Sequence, residues 1–292
     1  MAARKRFRVL VATDGSRVAR AAVTTAVRFP WPAPSDAHGV VARYVRPDYR
    51  RSILLAALDR TSEVVAARTT RVLAARWPDA QAVVVNGAPA DAIVREAARV
   101  GADVIVIGWR GQGPLRRLLA GSVSRGVVRR APCAVLVTRR ALTTLDRVVV
   151  GVDGSSQARA AVDFVARLPG RGRRVTLLTA VEKMALPSQV HLTSAMQATA
   201  RSEIDRINRG RQARARTELD RARTALARRG WKVELVVASR APLRELLRRV
   251  GRSRADLLVV GARGATGLDR LLLGSVASGA LDRSPIPVVV VP

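Results

Sequence analysis

Cysteine is almost missing from this chain. Cys133 is the only one in 292 residues, which excludes an intrachain disulfide and fits a reducing compartment. It lies in Ala131-Pro132-Cys133-Ala134-Val135, where a small apolar core residue is the expected reading rather than a redox centre. Histidine is nearly as scarce. His38 and His191 stand alone, neither with a second ligand at metal spacing, which argues against a zinc site. Aromatic residues make up 3% of the chain, so a core has to be assembled from Val, Leu, Ile and Ala. Apolar runs are short throughout, and none reaches the roughly 20 residues that span a bilayer. Arg4-Lys5-Arg6 is followed by a brief apolar run that meets Asp14, unlike a secretory leader. The expected location is cytoplasmic, with no membrane partner.

What the chain has in excess is arginine. There are 52 Lys and Arg against 22 Asp and Glu, a net charge of +30, yet lysine occurs only at Lys5, Lys183 and Lys232. The excess is even: residues 1–141 carry 25 basic and 9 acidic side chains (+16), and residues 142–292 carry 27 and 13 (+14). A charge without a basic tail or arm reads as a solvated, arginine-biased surface, with nonspecific, salt-sensitive attraction to nucleic acid at most. Hydrophobic residues at 48% indicate a globular chain, and the length accommodates two domains of about 100–150 residues.

The two halves follow one pattern. Phe7 to Ala12 predicts a buried strand that ends at Asp14-Gly15-Ser16, a turn with helix-capping residues. Further elements are expected as a helix to Phe29, a strand over 39–45, a helix over 52–76, a strand over 82–85, a helix from Pro89 to Val100, a strand over 103–107, a helix over 122–130 and a strand over 134–137. The order restarts after a linker at 139–145. Strands at 147–152, 174–181, 256–260 and 286–291 alternate with helices at 158–168 and 242–250, and Asp153-Gly154-Ser155 repeats the turn. The second half is longer by 17 residues: Val45 to Pro89 spans 44 positions and Val181 to Pro242 spans 61. The surplus lies around 186–216, a polar stretch broken at Gly210, and is expected to extend a helix or form a lid-like loop. Strands alternating with helices demand right-handed crossovers and a mostly parallel sheet covered on both faces. Ligands in such sheets bind beyond the carboxyl ends of the strands. Asp14, Val45 and Gly108 fall there, as do Asp153, Val181 and Gly261.

After the fourth strand of each half comes G-x-x-G-x9-G-S. Gly108, Gly111, Gly121 and Ser122 recur as Gly261, Gly264, Gly274 and Ser275 at an offset of 153. Glycines allow close backbone approach, and a helix start adds N–H donors suited to phosphate. With an Asp-Gly-Ser in each half, the repeated loops resemble the ATP-binding loop of universal stress proteins in a tandem form, residues 1–141 and 142–292. The resemblance implies an α/β fold of two doubly wound, mostly parallel five-stranded sheets with helices on both faces, Rossmann-like and similar to the adenine nucleotide alpha-hydrolases. It implies ATP as ligand. Backbone N–H groups near Gly111, Gly121 and Ser122 would hold the phosphates, with the Ser122 hydroxyl donating, and Gly264, Gly274 and Ser275 would do so in the second half. Asp14 and Asp153, which also read as simple helix caps, would lie beside ribose and phosphates and help to hold Mg²⁺. Val45 and Val181 match positions that flank adenine, although Arg43-Tyr44 and Thr179-Ala180 differ beside them. Trp109 replaces a small residue and would narrow or reshape the first cleft. Arg110, Arg116, Arg117, Arg263 and Arg270 are within reach of the loops but receive no site role.

Relatives dimerise through the last strand, so the resemblance implies a homodimer or an internal pseudo-dimer in which 134–137 pairs with 288–291. The expected function is a nucleotide-responsive stress or regulatory protein with little or no hydrolysis, because no Ser/His/Asp set, nucleophile elbow or Walker lysine accompanies the loops. The alternatives are a slow Mg²⁺-dependent ATPase acting through Asp14 or Asp153, and a polyanion-binding accessory protein that uses the basic surface.

Overall fold

The computed structural model describes residues 6–44, 53–110, 121–186, 193–264 and 272–292. Phe7–Ala12 (β1) is buried on both sides, Val9 and Val11 toward one layer and Leu10 and Ala12 toward the other, as the two-residue period of a strand requires. The chain continues through Arg17–Arg28 (α1), Ser35–Arg43 (β2), Ile53–Ala74 (α2), Gln81–Asn86 (β3), Pro89–Val100 (α3), Val104–Gly108 (β4), Ser122–Arg130 (α4) and Ala134–Thr138 (β5). The second half repeats the order as Arg147–Gly151 (β6), Ser156–Arg167 (α5), Arg174–Ala180 (β7), Ser194–Ala227 (α6), Lys232–Ala238 (β8), Pro242–Ser253 (α7), Leu257–Gly261 (β9), Ser275–Arg283 (α8) and Val288–Val291 (β10).

The strands form one sheet in the order β3-β2-β1-β4-β5-β10-β9-β6-β7-β8. Every pair within a half is parallel. In each half the chain winds outward from β1 (or β6) to one side and then crosses to the other, so strand order reverses between β1 and β4 and between β6 and β9. These are the points where a crevice opens at the carboxyl edge. The halves meet where β5 and β10 pair antiparallel, Val288 opposite Val137, Val289 opposite Leu136 and Val290 opposite Val135. Both strands are buried along their length. One apolar layer, with α1, α2, α5 and α6, and the other, with α3, α4, α7 and α8, therefore run unbroken across the seam. Each fully buried Val or Leu contributes about 1.5–3 kcal/mol.

One element departs from the sequence expectation, and another takes one of the two forms expected of it. β2 begins at Ser35, not at residue 39, because its polar start is drawn into the ladder: Ser35 lies opposite Phe7, and the Phe7 N–H donates to the Pro34 carbonyl at 2.9 Å. It ends at Arg43, and Val45 lies outside the described residues. From Ser194 onward the surplus of the second half extends a helix, and α6 runs through Gly210 without a break. A glycine costs a helix about 1 kcal/mol, and several contacts oppose that cost. Thr193 Oγ1 caps the start, accepting from the Met196 N–H at 3.4 Å. Asp220 and Arg223 pair one turn apart at 3.1 Å, and Leu219 and Leu226 are fully buried. The Asn208 side chain also grips the backbone of Met184 at both its N–H and its carbonyl, each at 2.9 Å, which straps the chain leaving β7 to the helix. Among the described residues, no helix is long and apolar enough to cross a membrane.

Candidate functional site

Each Asp-Gly-Ser turn is built the same way. Gly15 and Gly154 have φ of 75° and 80°, a left-handed conformation that favours glycine. Asp14 Oδ1 accepts from the Ser16 N–H at 2.9 Å, and Asp153 Oδ1 accepts from the Ser155 N–H at 3.0 Å. Ser16 and Ser155 are the helix caps, accepting from the N–H groups of Ala19 at 3.1 Å and Ala158 at 3.0 Å. The aspartates thus brace the turns and do not themselves cap α1 and α5.

The glycine at each strand end brings that turn to the loop. A Cβ on Gly108 would lie 3.1 Å from Ala19 N and from Val18 C, and one on Gly261 would lie 2.8 Å from Gln157 Cβ. Only glycine lets the first turns of α1 and α5 cross so close to β4 and β9. The loop then closes on itself, with the Gly121 N–H donating to the Trp109 carbonyl at 2.9 Å and the Gly274 N–H to the Ala262 carbonyl at 2.8 Å. In the second half a Cβ on Gly264 would stand 2.8 Å from Asp153 Oδ2. Aspartate turn and glycine loop are in contact there. Gly111 lies outside the described residues.

The helix starts differ in a way that bears on ligands. α1, α5 and α6 have Ser or Thr caps that accept an N–H. α4 and α8 begin at Gly121 and Gly274, which supply no side-chain cap, with Ser122 and Ser275 exposed at the first helical position. N–H donors and partial positive charge therefore gather at the crevice. Val181 is half-buried at the end of β7, its N–H donating to the Ala238 carbonyl at 2.8 Å.

The two clefts are not equal. Val65 of α2 presses on Gly15, whereas Glu218 of α6 takes the corresponding place beside Gly154, its Cγ 3.6 Å from a Cβ there. Glu218 pairs with Arg221 at 2.7 Å and lies 4.0 Å from Arg159. Trp109, expected to narrow or reshape the first cleft, turns its indole across the seam, where the N–H donates to the Leu281 carbonyl at 2.7 Å. Arg110, given no role by the sequence, stands over the same ring, 4.1 Å from its centroid. The Leu281 contact depends on a residue 172 positions away, and local sequence carries no signal for it.

A model of the universal stress protein family matches residues 5–139 and again 144–292. A universal stress protein of Mycobacterium tuberculosis is 32% identical over 205 residues, covering 65% of this chain and 61% of that protein. The chain thus spans about three fifths of the length of that relative. One from Thermus aquaticus is 33% identical over 141 residues, 45% of this chain and 97% of its own. The crystal structure of a universal stress protein from Archaeoglobus fulgidus shares the fold at a TM-score of 0.69 and 19% identity, covering 97% of both chains. With two family matches over a doubly wound sheet and a glycine loop repeated in each half, the chain belongs to the universal stress protein family.

Proposed function

We propose that the chain is an ATP-binding regulatory protein of the stress response, with one cleft per half and little or no hydrolysis. The observation that carries this reading is the contact of Asp153 with Gly264 at the mouth of the Gly274-capped helix α8. A carboxylate, a backbone cradle that a Cβ would fill and a helix start without a side-chain cap converge at a strand-order reversal, which fits a phosphate chain and its cation. Gly264, Gly274 and Ser275 would hold the phosphates, as would Gly121 and Ser122 in the first half, and Val181 would lie against the base. Asp153 and Asp14 would hold Mg²⁺, an ion that takes one or two carboxylates and completes its shell with phosphate and water. Bound Mg²⁺ would supply charge neutralisation for the phosphates. Asp153 Oδ1 is engaged by the Ser155 N–H, which holds the carboxylate in place at the mouth of the loop. The nucleotide then acts as a ligand that favours one conformation, stabilising it according to occupancy.

Calorimetric titration of ATP with Mg²⁺ into ligand-stripped protein tests the reading. Two nucleotides per chain, falling to one in Gly274→Val, and no steady phosphate release are expected. Absence of binding overturns it, and phosphate release that disappears when both aspartates are changed replaces it with a slow ATPase.

A further inference from the structure

Trp109 belongs to the first half by its backbone and to the second by its side chain. Its carbonyl closes the neck of the first glycine loop, accepting from the Gly121 N–H and the Ser124 hydroxyl, both at 2.9 Å. Its ring meets the far end of α8. The indole N–H donates to the Leu281 carbonyl at 2.7 Å, and Arg139 Nη2 donates to the same oxygen at 3.1 Å and to the Asp282 carbonyl. The Arg139 guanidinium stands 3.5 Å from the Trp109 ring centroid. Arg125, in α4, pairs with the Asp282 carboxylate at 2.5 Å.

α8 is short and connects this cluster to the other cleft. It starts at Gly274-Ser275, on the second glycine loop, and its last turn carries Leu281 and Asp282. A nine-residue helix is about 13 Å long at ~1.5 Å per residue. A shift of the helix at one end is therefore felt at the other. The arrangement is also one-sided. At the offset of 153, Trp109 corresponds to Ala262, Arg125 to Ser278 and Arg139 to Pro292, so the second loop has no matching side chains to reach back to α4.

We infer that the Trp109 and Arg139 cluster couples the two clefts, so that a nucleotide in the first raises the affinity of the second. This rests on the nucleotide reading above. Arg110 and Arg139 share one aromatic ring, and their like charges oppose each other. Burial and the charge of Arg110 hold the Arg139 pKa below the ordinary arginine value, against the pull of Asp282. A phosphate at the start of α4, where a Cβ on Gly121 would lie 3.7 Å from Arg110 Cγ, draws the Arg110 guanidinium through charge-assisted hydrogen bonds. As Arg110 turns to it, the repulsion on Arg139 falls and the grip of Arg139 and Trp109 on the end of α8 tightens. Helix α8 is then held in place before the second loop fills, and linkage makes the effect reciprocal.

Equilibrium dialysis of ATP with Mg²⁺ against the full chain tests the coupling. Independent sites, equal or unequal, never give a Hill coefficient above unity, so a sigmoidal isotherm in the unaltered chain is the expected result. Trp109→Phe keeps a ring in place but removes the indole donor, and Arg139→Gln removes the charge. Each is expected to bind two nucleotides with a Hill coefficient at or below unity, while thermal unfolding shows that the variant is folded. Two nucleotides bound with an isotherm that neither substitution changes overturns the coupling and leaves the nucleotide reading intact. No binding at all overturns both.

Discussion

Asp153 Oδ2 stands 2.8 Å from the point where a Cβ on Gly264 would lie. No side chain fits at 264 unless the carboxylate moves, and the carboxylate is fixed at its other oxygen by the Ser155 N–H. Gly264→Ala is therefore expected to turn Asp153 away from the loop and to weaken ATP binding in the second cleft by about tenfold or more, an order of magnitude that corresponds to one lost charge-assisted contact. Because Gly264 is partly exposed at the mouth, the melting temperature should barely change. Calorimetry with an unaltered second affinity would show that this contact does not shape the site.

Ser155 performs a separate task from Asp153. Its hydroxyl accepts from the Ala158 N–H at 3.0 Å and closes the start of α5. Ser155→Ala should cost about 1 kcal/mol, the usual loss for a helix cap, seen as a lower urea midpoint with an unchanged slope. Nucleotide stoichiometry should stay at two, which separates the cap from the ligand-facing carboxylate.

The seam makes the two halves one cooperative unit. Leu136 is fully buried opposite Val289, and the apolar layer on that face continues from Val9 and Val106 to Val150 and Val259. Leu136→Ala should destabilise the chain by about 2–5 kcal/mol through the cavity it leaves. Near- and far-ultraviolet dichroism should follow one coincident urea transition. Two separated transitions would mean that the halves unfold independently in spite of the shared sheet.

Cys133 packs against the layer that includes Val135 and Val137, and burial, reinforced by the charge of Asp103, pushes its thiol up to about 12. The thiolate is the reactive form, so at pH 8 a thiol-directed reagent should label the native chain far more slowly than a free cysteine. Labelling should become rapid in denaturant. Fast labelling of the folded chain would reveal an opening of this layer.

Much of this architecture is written locally. Phe7 to Ala12, the glycine-ended strands and both Asp-Gly-Ser turns declare themselves because alternation, strand-end glycines and serine caps are short-range chemistry. The sequence places the start of β2 too late because Ser35 and Asp36 look like a loop until β1 is available to pair with them. Gly210 reads as a break only when the buried Leu219 and Leu226 further along α6 are left out of account. Trp109 was the least legible residue: its hydrogen-bond partner is 172 positions away, and nothing in the local pattern distinguishes a ring that fills a cleft from one that crosses a seam. Arg167, which reaches Asp103 at 2.8 Å from the other half, was hidden for the same reason.

Glu96 gives the acid limb of the stability curve a definite sign. It is buried in α3, and hydrogen bonds from Arg99 at 2.6 and 2.9 Å, helped by the charges of Arg99 and His38 and opposed by burial, hold its pKa below the ordinary carboxylate value. A carboxylate with a depressed folded pKa stabilises the native state above its unfolded value, roughly 4.3 for glutamate, and that contribution is lost as the pH falls through the lower folded value. Glu96→Gln should therefore destabilise the chain at neutral pH and lose less stability than the unaltered chain between about pH 4 and the acid transition. Urea midpoints measured across that range check the sign. If the two proteins lose stability in parallel, the Arg99 contact does not contribute to the acid response and another carboxylate must.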